Sequence, residues 1–346
     1  MSSRNLSPQQ MFIAMANEHQ PECKFSTEQD FAEWKSNTLP KVLKTLGDFP
    51  EQVPLNPELL AEWEHEGLKK QKWVIDVAKH ISATFCINYP ADMIDGQKYP
   101  ALLCCHGHGE FGKFPVMGNG NNPGIVSDIT KMNYNYGHKM AQAGFITFAI
   151  DWIGFGERND TFKPNTHRSI GQDWCNMYYL HATMLGMTSL GINIAHGKKA
   201  IDFAESIPEI DSDRIGVLGL SAGGTMSLWM TLCDDRIKAT EIICYSNLWS
   251  DFGIKDLNYC GMQVAPGLFK LVDLPDLQGL LAPKPLLIDI GANDLCFKIG
   301  PAMKCFNQLK EIYSAANATN QLELDLHPNE HAWGANKSTD FFNKHL

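Results

Sequence analysis

The chain has 346 residues, enough for one large α/β domain or two ordinary ones around a sizeable core. Its 44% hydrophobic and 20% charged residues exclude wholesale disorder, and a formal charge of -10 with no basic patch argues against a nucleic-acid partner. The first twenty residues hold no basic segment leading into an apolar one, and no apolar run reaches about 18 residues, so a soluble, cytoplasmic protein with no membrane partner is expected.

Residues 1–68 read as polar-amphipathic helix punctuated by Pro40, Pro50, Pro54 and Pro57, an amino-terminal helical cap on a domain spanning 69–346. From Lys72 the pattern changes: WVIDVA and ISATFCINYP are short, close together and rich in β-branched residues, which predicts an antiparallel strand pair. YPALLCC adds a third strand that runs into the glycine-rich HGHG. Then the chain alternates. FITFAI, RIGVLG, ATEIICY, PLLIDIG and QLELDL read as strands. The helices among them are marked by Leu190, Ile194, Ile201 and Ala204, by TMSLWMTLC and by PAMKCFNQLKEIYSAA. Strands separated by helices predict an α/β fold with a mostly parallel sheet flanked by helices. Two intervals rich in aromatic residues and methionine, about 153–189 and 247–282, interrupt the alternation and read either as lid-like insertions or as surface packing. Ten cysteines without paired spacing read as buried free thiols of a reducing compartment.

Within RIGVLGLSAGGTMSLWM, Ser221 lies between Gly219 and Gly223. Ile215, Val217 and Leu218 form a buried strand before it, and Met226, Leu228, Trp229 and Met230 open an apolar helix after it. A strand that turns into a helix at one residue strains that residue's backbone, and side chains two positions either way would collide with the neighbouring elements. The same turn aims the serine oxygen out of the sheet and puts the Ala222 amide at a helix start, where a developing oxyanion can bind.

A nucleophilic serine needs a base, and LELDLHPNEHAWG offers two histidines. His327 abuts the last strand, whereas His331 lies in the loop beyond it, with the reach to return over the serine, and is the favoured base. Asp294 follows the strand that ends at Gly291 and is the favoured acid. Asp251, one strand earlier, is its rival, while Asp289 lies within the strand and reads as a capping or pairing residue. The His108 amide in HGHG is the expected second oxyanion donor. His106 and His108 have H-x-H spacing, but the chain continues with Gly109, Glu110 and Phe111 in place of further ligands, so neither a metal nor a cofactor is expected.

HGHG at 106–109, DWIGFGER at 151–158, DRIGVLGLSAGG at 213–224, GAND at 291–294 and NEHAW at 329–333 occur in an order that resembles the α/β-hydrolase superfamily. Within it, they are most similar to the acetyl xylan esterase-like and dienelactone hydrolase-like branch. The resemblance covers residues 70–346 and leaves the amino-terminal segment outside it. It implies an α/β-hydrolase fold with Ser221 as nucleophile, Asp294 as acid, His331 as base, and His108 and Ala222 as oxyanion amides. Dienelactone hydrolases carry a cysteine where this chain has Ser221, so their particular activity does not transfer. The implied reaction is hydrolysis of a small-molecule carboxylic ester through an acyl-enzyme, without a cofactor. A serine peptidase or amidase of the same fold would use the same triad. A noncatalytic binding protein of this fold would commonly lack a triad member, and this chain keeps a candidate for each. Helices of the amino-terminal segment could pair subunits into a homo-oligomer.

Overall fold

In the computed structural model, which describes residues 4–160 and 173–346, nine strands form a single sheet. They are β1 (Glu58–His65), β2 (Leu68–Ala78), β3 (Ile81–Tyr89), β4 (Tyr99–Cys105), β5 (Ile146–Ile150), β6 (Ile210–Leu220), β7 (Ile237–Ile243), β8 (Leu286–Gly291) and β9 (Leu322–His327). Their order is β1-β2-β3-β5-β4-β6-β7-β8-β9. The pairs from β5 through β9 are all parallel, and β1, β2, β3 and β5 join antiparallel.

Burial follows from this layout. Helices cover both faces of the parallel part, so β5 and β8 are buried at every residue and their sequences run largely apolar without alternation, with Thr147 and Asp289 as the polar exceptions. Two apolar clusters result, one containing Ile201, Val217 and Trp229 and the other containing Leu102, Leu218 and Phe342.

The amino-terminal segment differs from the expectation of helix to residue 68. Helices span Pro8–Glu18 and Phe31–Lys44, and β1 then extends the sheet. Nearly every β1 side chain is exposed, and the period-two alternation of Leu59, Ala61 and Trp63 with Glu62 and Glu64 is short. The segment is integral to the core: Trp34 and Val42 are buried in the larger cluster, and the Trp34 indole donates to the Cys23 carbonyl at 2.9 Å. It also packs on the second insertion, where the amides of Glu22 and Cys23 donate to the Lys270 and Leu271 carbonyls and the Phe25 amide donates to Asp276. Of the first insertion, residues 161–172 lie outside the described residues; the helix Trp174–Met184 follows them. No helix among the described residues is long and apolar enough to cross a membrane.

Candidate active site

Ser221 sits between the end of β6 and the helix Ala222–Cys233 with φ 61° and ψ -123°, a left-handed conformation that costs a non-glycine residue about 1–3 kcal/mol. The flanking glycines permit it. A Cβ on Gly223 would stand 2.1 Å from the Cys105 carbonyl oxygen, and one on Gly219 would stand 2.5 Å from that of Gly223. The elbow therefore presses against the end of β4, and any side chain at either position would push the two apart. The serine side chain makes no capping hydrogen bond to the helix it opens, and it is half-buried.

The HGHG loop leaves β4 directly beside this turn. A Cβ on Gly107 would lie 2.6 Å from the Leu220 carbonyl oxygen and 3.3 Å from Ser221 Cβ. Among the described residues, no backbone hydrogen bond engages the amide of His108 or of Ala222, which leaves both as available donors. His106 is committed elsewhere. Its Nε2 accepts from the Trp152 amide at 2.9 Å and its Nδ1 faces the Gly107 carbonyl at 2.8 Å, which sets the neutral tautomer with the proton on Nδ1. Burial lowers its pKa to about 4 and keeps it neutral.

Asp294 and His331 are brought together: Nδ1 of His331 lies 2.7 Å from Oδ2 of Asp294. The other carboxylate oxygen accepts from the Cys296 amide at 2.7 Å and the Phe297 amide at 3.0 Å. Burial opposes ionisation of Asp294, but the hydrogen bond and charge of His331 and these two amides outweigh it and hold its carboxyl below the ordinary range. The Phe297 ring stacks on the imidazole with centroids 5.6 Å apart. Asp251, the rival acid, is paired with Lys255 at 2.9 Å.

His327 and Asp289 form a second pair, fully buried, with Nε2 2.8 Å from Oδ1. Burial raises Asp289 to about 6, despite His327. Its Oδ2 accepts from the Gly334 amide at 2.8 Å. Further along, the Trp333 indole donates to Glu241 and Asn336 donates to Asp325. At the other end, Asn293 donates through its amide side chain to the Pro328 carbonyl. The NEHAW loop is thus tied down before and after His331, and the imidazole projects from a braced segment.

The chain motif DWIGFGER has a different role from the triad. Asp151, fully buried, accepts from Lys113 Nζ at 2.6 Å, from the Lys113 amide at 2.8 Å and from the Glu157 amide at 3.1 Å. Lys113 Nζ also donates to Thr84 and Glu157. This network holds the far end of the HGHG loop against β3 and β5. Sequence reasoning did not find it, because Lys113 and Asp151 are 38 residues apart. Burial works to raise the pKa of Glu157, but the Lys113 charge and hydrogen bonds from Lys113, Lys72 and Thr84 prevail and lower it to about 2. A carboxyl depressed in the folded state stabilises the fold fully above its unfolded value of about 4.3, and that contribution fades as pH falls toward 2. Glu157→Gln is therefore expected to flatten the loss of Tm across that acid window relative to the wild type. Thermal unfolding measured at several pH values checks this, and parallel curves for the two proteins would contradict it.

Among the described residues, one cavity of about 480 Å³ is lined by residues including Arg158, Tyr178 and His196 and another of the same volume by residues including Asn133, Asn293 and Glu330.

Comparison with known proteins agrees with this architecture. The chain is similar to YtaP of Bacillus subtilis (strain 168), a protein provisionally named a hydrolase, with 26% identity over 80% of this chain and 87% of the relative. A Bacteroides fragilis protein provisionally named an acetyl xylan esterase superposes with a TM-score of 0.74 at 18% identity, covering 94% of this chain and 83% of the other. A glucuronoyl esterase from Solibacter usitatus gives a TM-score of 0.65 at 13% identity, covering 91% and 93%. Both likenesses are of fold. The profile of the Abhydrolase family matches residues 1–330, so the amino-terminal segment that the motif resemblance left aside is part of the match, and this chain belongs to the Abhydrolase family.

Proposed function

We propose that the protein is a serine carboxylic ester hydrolase acting on acetyl or other short-chain esters of a carbohydrate or small molecule. The observation that carries this reading is the hydrogen-bonded Asp294–His331 pair, on the loops after β8 and β9, in a chain whose elbow holds Ser221 in a left-handed conformation. With its Nδ1 proton on Asp294, the His331 ring keeps the Nε2 lone pair for the serine proton. Ser221 Oγ attacks the ester carbonyl carbon as His331 takes that proton, and the oxyanion is held by the His108 and Ala222 amides. His331 then gives the proton to the departing alcohol. Water, deprotonated by the same imidazole, releases the acid from the acyl-enzyme. The names of these two structural neighbours, a provisionally named acetyl xylan esterase and a glucuronoyl esterase, support ester substrates.

The test combines a serine-directed fluorophosphonate probe with a substrate panel. The expected result is labelling of the peptide that contains Ser221, turnover of acetyl and other short-chain nitrophenyl esters and of acetylated sugars, and little turnover of aminoacyl nitroanilides. A label on another residue would overturn the nucleophile, and preferential anilide cleavage would replace the esterase reading with a peptidase.

A further inference from the structure

Three side chains that the triad does not use converge beside the HGHG loop. His108 comes from that loop, Cys175 from the first turn of the helix Trp174–Met184, and Cys260 from the second insertion. His108 Nε2 and the two Sγ atoms all lie within 4.8 Å of one another, and the imidazole nitrogen is 3.6 Å from Cys175 Sγ. Both cysteines are buried, whereas His108 is exposed, so the cluster opens to solvent on one side. Bonds of about 2.1 Å to nitrogen and 2.3 Å to sulfur at a tetrahedral zinc place those atoms roughly 3.6 to 3.8 Å apart. The His108–Cys175 separation already has that length.

The surroundings fit a metal better than a sulfur–sulfur bond. A disulfide would have no use for the imidazole, which here faces Cys175. Gln263 Nε2 lies 3.6 Å from Cys260 Sγ, where its N–H can donate to sulfur, as groups behind a metal-bound thiolate do. The Gly261 amide donates to Asn176 Oδ1 at 2.8 Å, and a Cβ on Gly261 would meet Tyr179 Cβ at 2.2 Å, so the two cysteine-bearing segments are held closely against each other.

We propose that His108, Cys175 and Cys260 form a binding site for zinc or a similar divalent cation, with a fourth position open to solvent. Binding replaces the two thiol protons with two metal–sulfur bonds and releases both protons to water. The metal would tie the loop that carries the His108 amide to both insertions. His106 takes no part, since both of its ring nitrogens are engaged.

The test uses the full chain, reduced, stripped with a chelator and titrated with Co²⁺ in the absence of oxygen. The expected result is about one Co²⁺ per chain with thiolate-to-cobalt charge-transfer absorption that Zn²⁺ displaces. Binding should weaken by about a hundredfold in Cys175→Ser and in Cys260→Ser, with circular dichroism verifying the fold. If a cysteine variant fails to fold, His108→Ala, altered at an exposed side chain, supplies the same reading. His331→Ala should retain the absorption. The proposal is overturned by absence of the absorption in the wild type, or by its persistence unchanged in the folded ligand variants. Its loss in His331→Ala would also overturn it, because the metal would then lie on Cys244, Asp294 and His331. A Cys175–Cys260 disulfide in protein purified without reductant, with no Co²⁺ uptake after reduction, overturns it equally. Because none of these readings uses ester turnover, Ser221→Ala should give the wild-type titration, which separates this site from the catalytic reading.

Discussion

Ser221→Ala is expected to lower kcat for a short-chain ester by about a thousandfold or more, with unfolding in urea unchanged to within about 0.5 kcal/mol. The size follows from the two-step chemistry. Without Oγ no acyl-enzyme forms, and what survives is binding in the site and stabilisation of the oxyanion during direct attack by water. A thousandfold loss corresponds to about 4 kcal/mol of transition-state stabilisation. Stability should barely change, because the hydroxyl makes no capping bond to the helix Ala222–Cys233 and the residue is half-buried. Alanine keeps the Cβ, so the strain at φ 61° is the same in both proteins. Turnover in a folded variant close to that of the wild type would remove Ser221 from the nucleophile's place. A large drop in urea stability would instead show that the serine holds the elbow together.

The elbow was legible in the sequence because its constraint is local. Gly219 and Gly223 are spaced for a turn that brings their own Cα positions onto the Cys105 and Gly223 carbonyls, so three glycine-spaced residues between two apolar runs carry the whole signal. The central strands were legible for a similar reason, since burial leaves β5 and β8 apolar on both faces apart from Thr147 and Asp289. β1 was not. It pairs only with β2 at the edge of the sheet, and its short alternation of Leu59, Ala61 and Trp63 lies among glutamates, which are good helix formers. Short helices such as Pro123–Met132 were passed over because they bury little, with Ile125 as the buried residue.

The supports of the site were hidden by distance along the chain. Lys113 reads as an ordinary surface lysine until folding places it beside Asp151 with no exposure of either side chain. Phe297, which stacks on His331, and Cys244, whose Sγ is 3.4 Å from the Ala332 carbonyl, occur in stretches with no motif to single them out. Chain order could rank His331 above His327 by loop reach alone. The structure adds a physical difference between them: His327 is buried with Asp289, while His331 is partly exposed, with 21% of its side-chain surface accessible, and pairs with Asp294.

Asp294→Asn and Asp289→Asn convert that difference into a measurement. At position 294 the Cys296 and Phe297 amides both donate to one side-chain oxygen. An asparagine must keep its carbonyl there, because its NH₂ group cannot accept, and so the NH₂ turns toward His331 Nδ1. That nitrogen then has to accept, the ring proton moves to Nε2, and the lone pair that should take the serine proton is gone. The expected loss in kcat is roughly 10³- to 10⁴-fold with the site's geometry intact. At position 289 the Gly334 amide likewise holds the asparagine carbonyl and turns the NH₂ toward His327, inside a fully buried pair. The expected result there is destabilisation of about 1–3 kcal/mol in urea unfolding, with kcat in the folded fraction falling by no more than about tenfold. The discriminating quantity is the ratio of the two kcat losses, measured on protein shown to be folded at the assay temperature. A loss at 289 that exceeds the loss at 294 would move the base to His327 and leave His331 as the braced loop's surface residue.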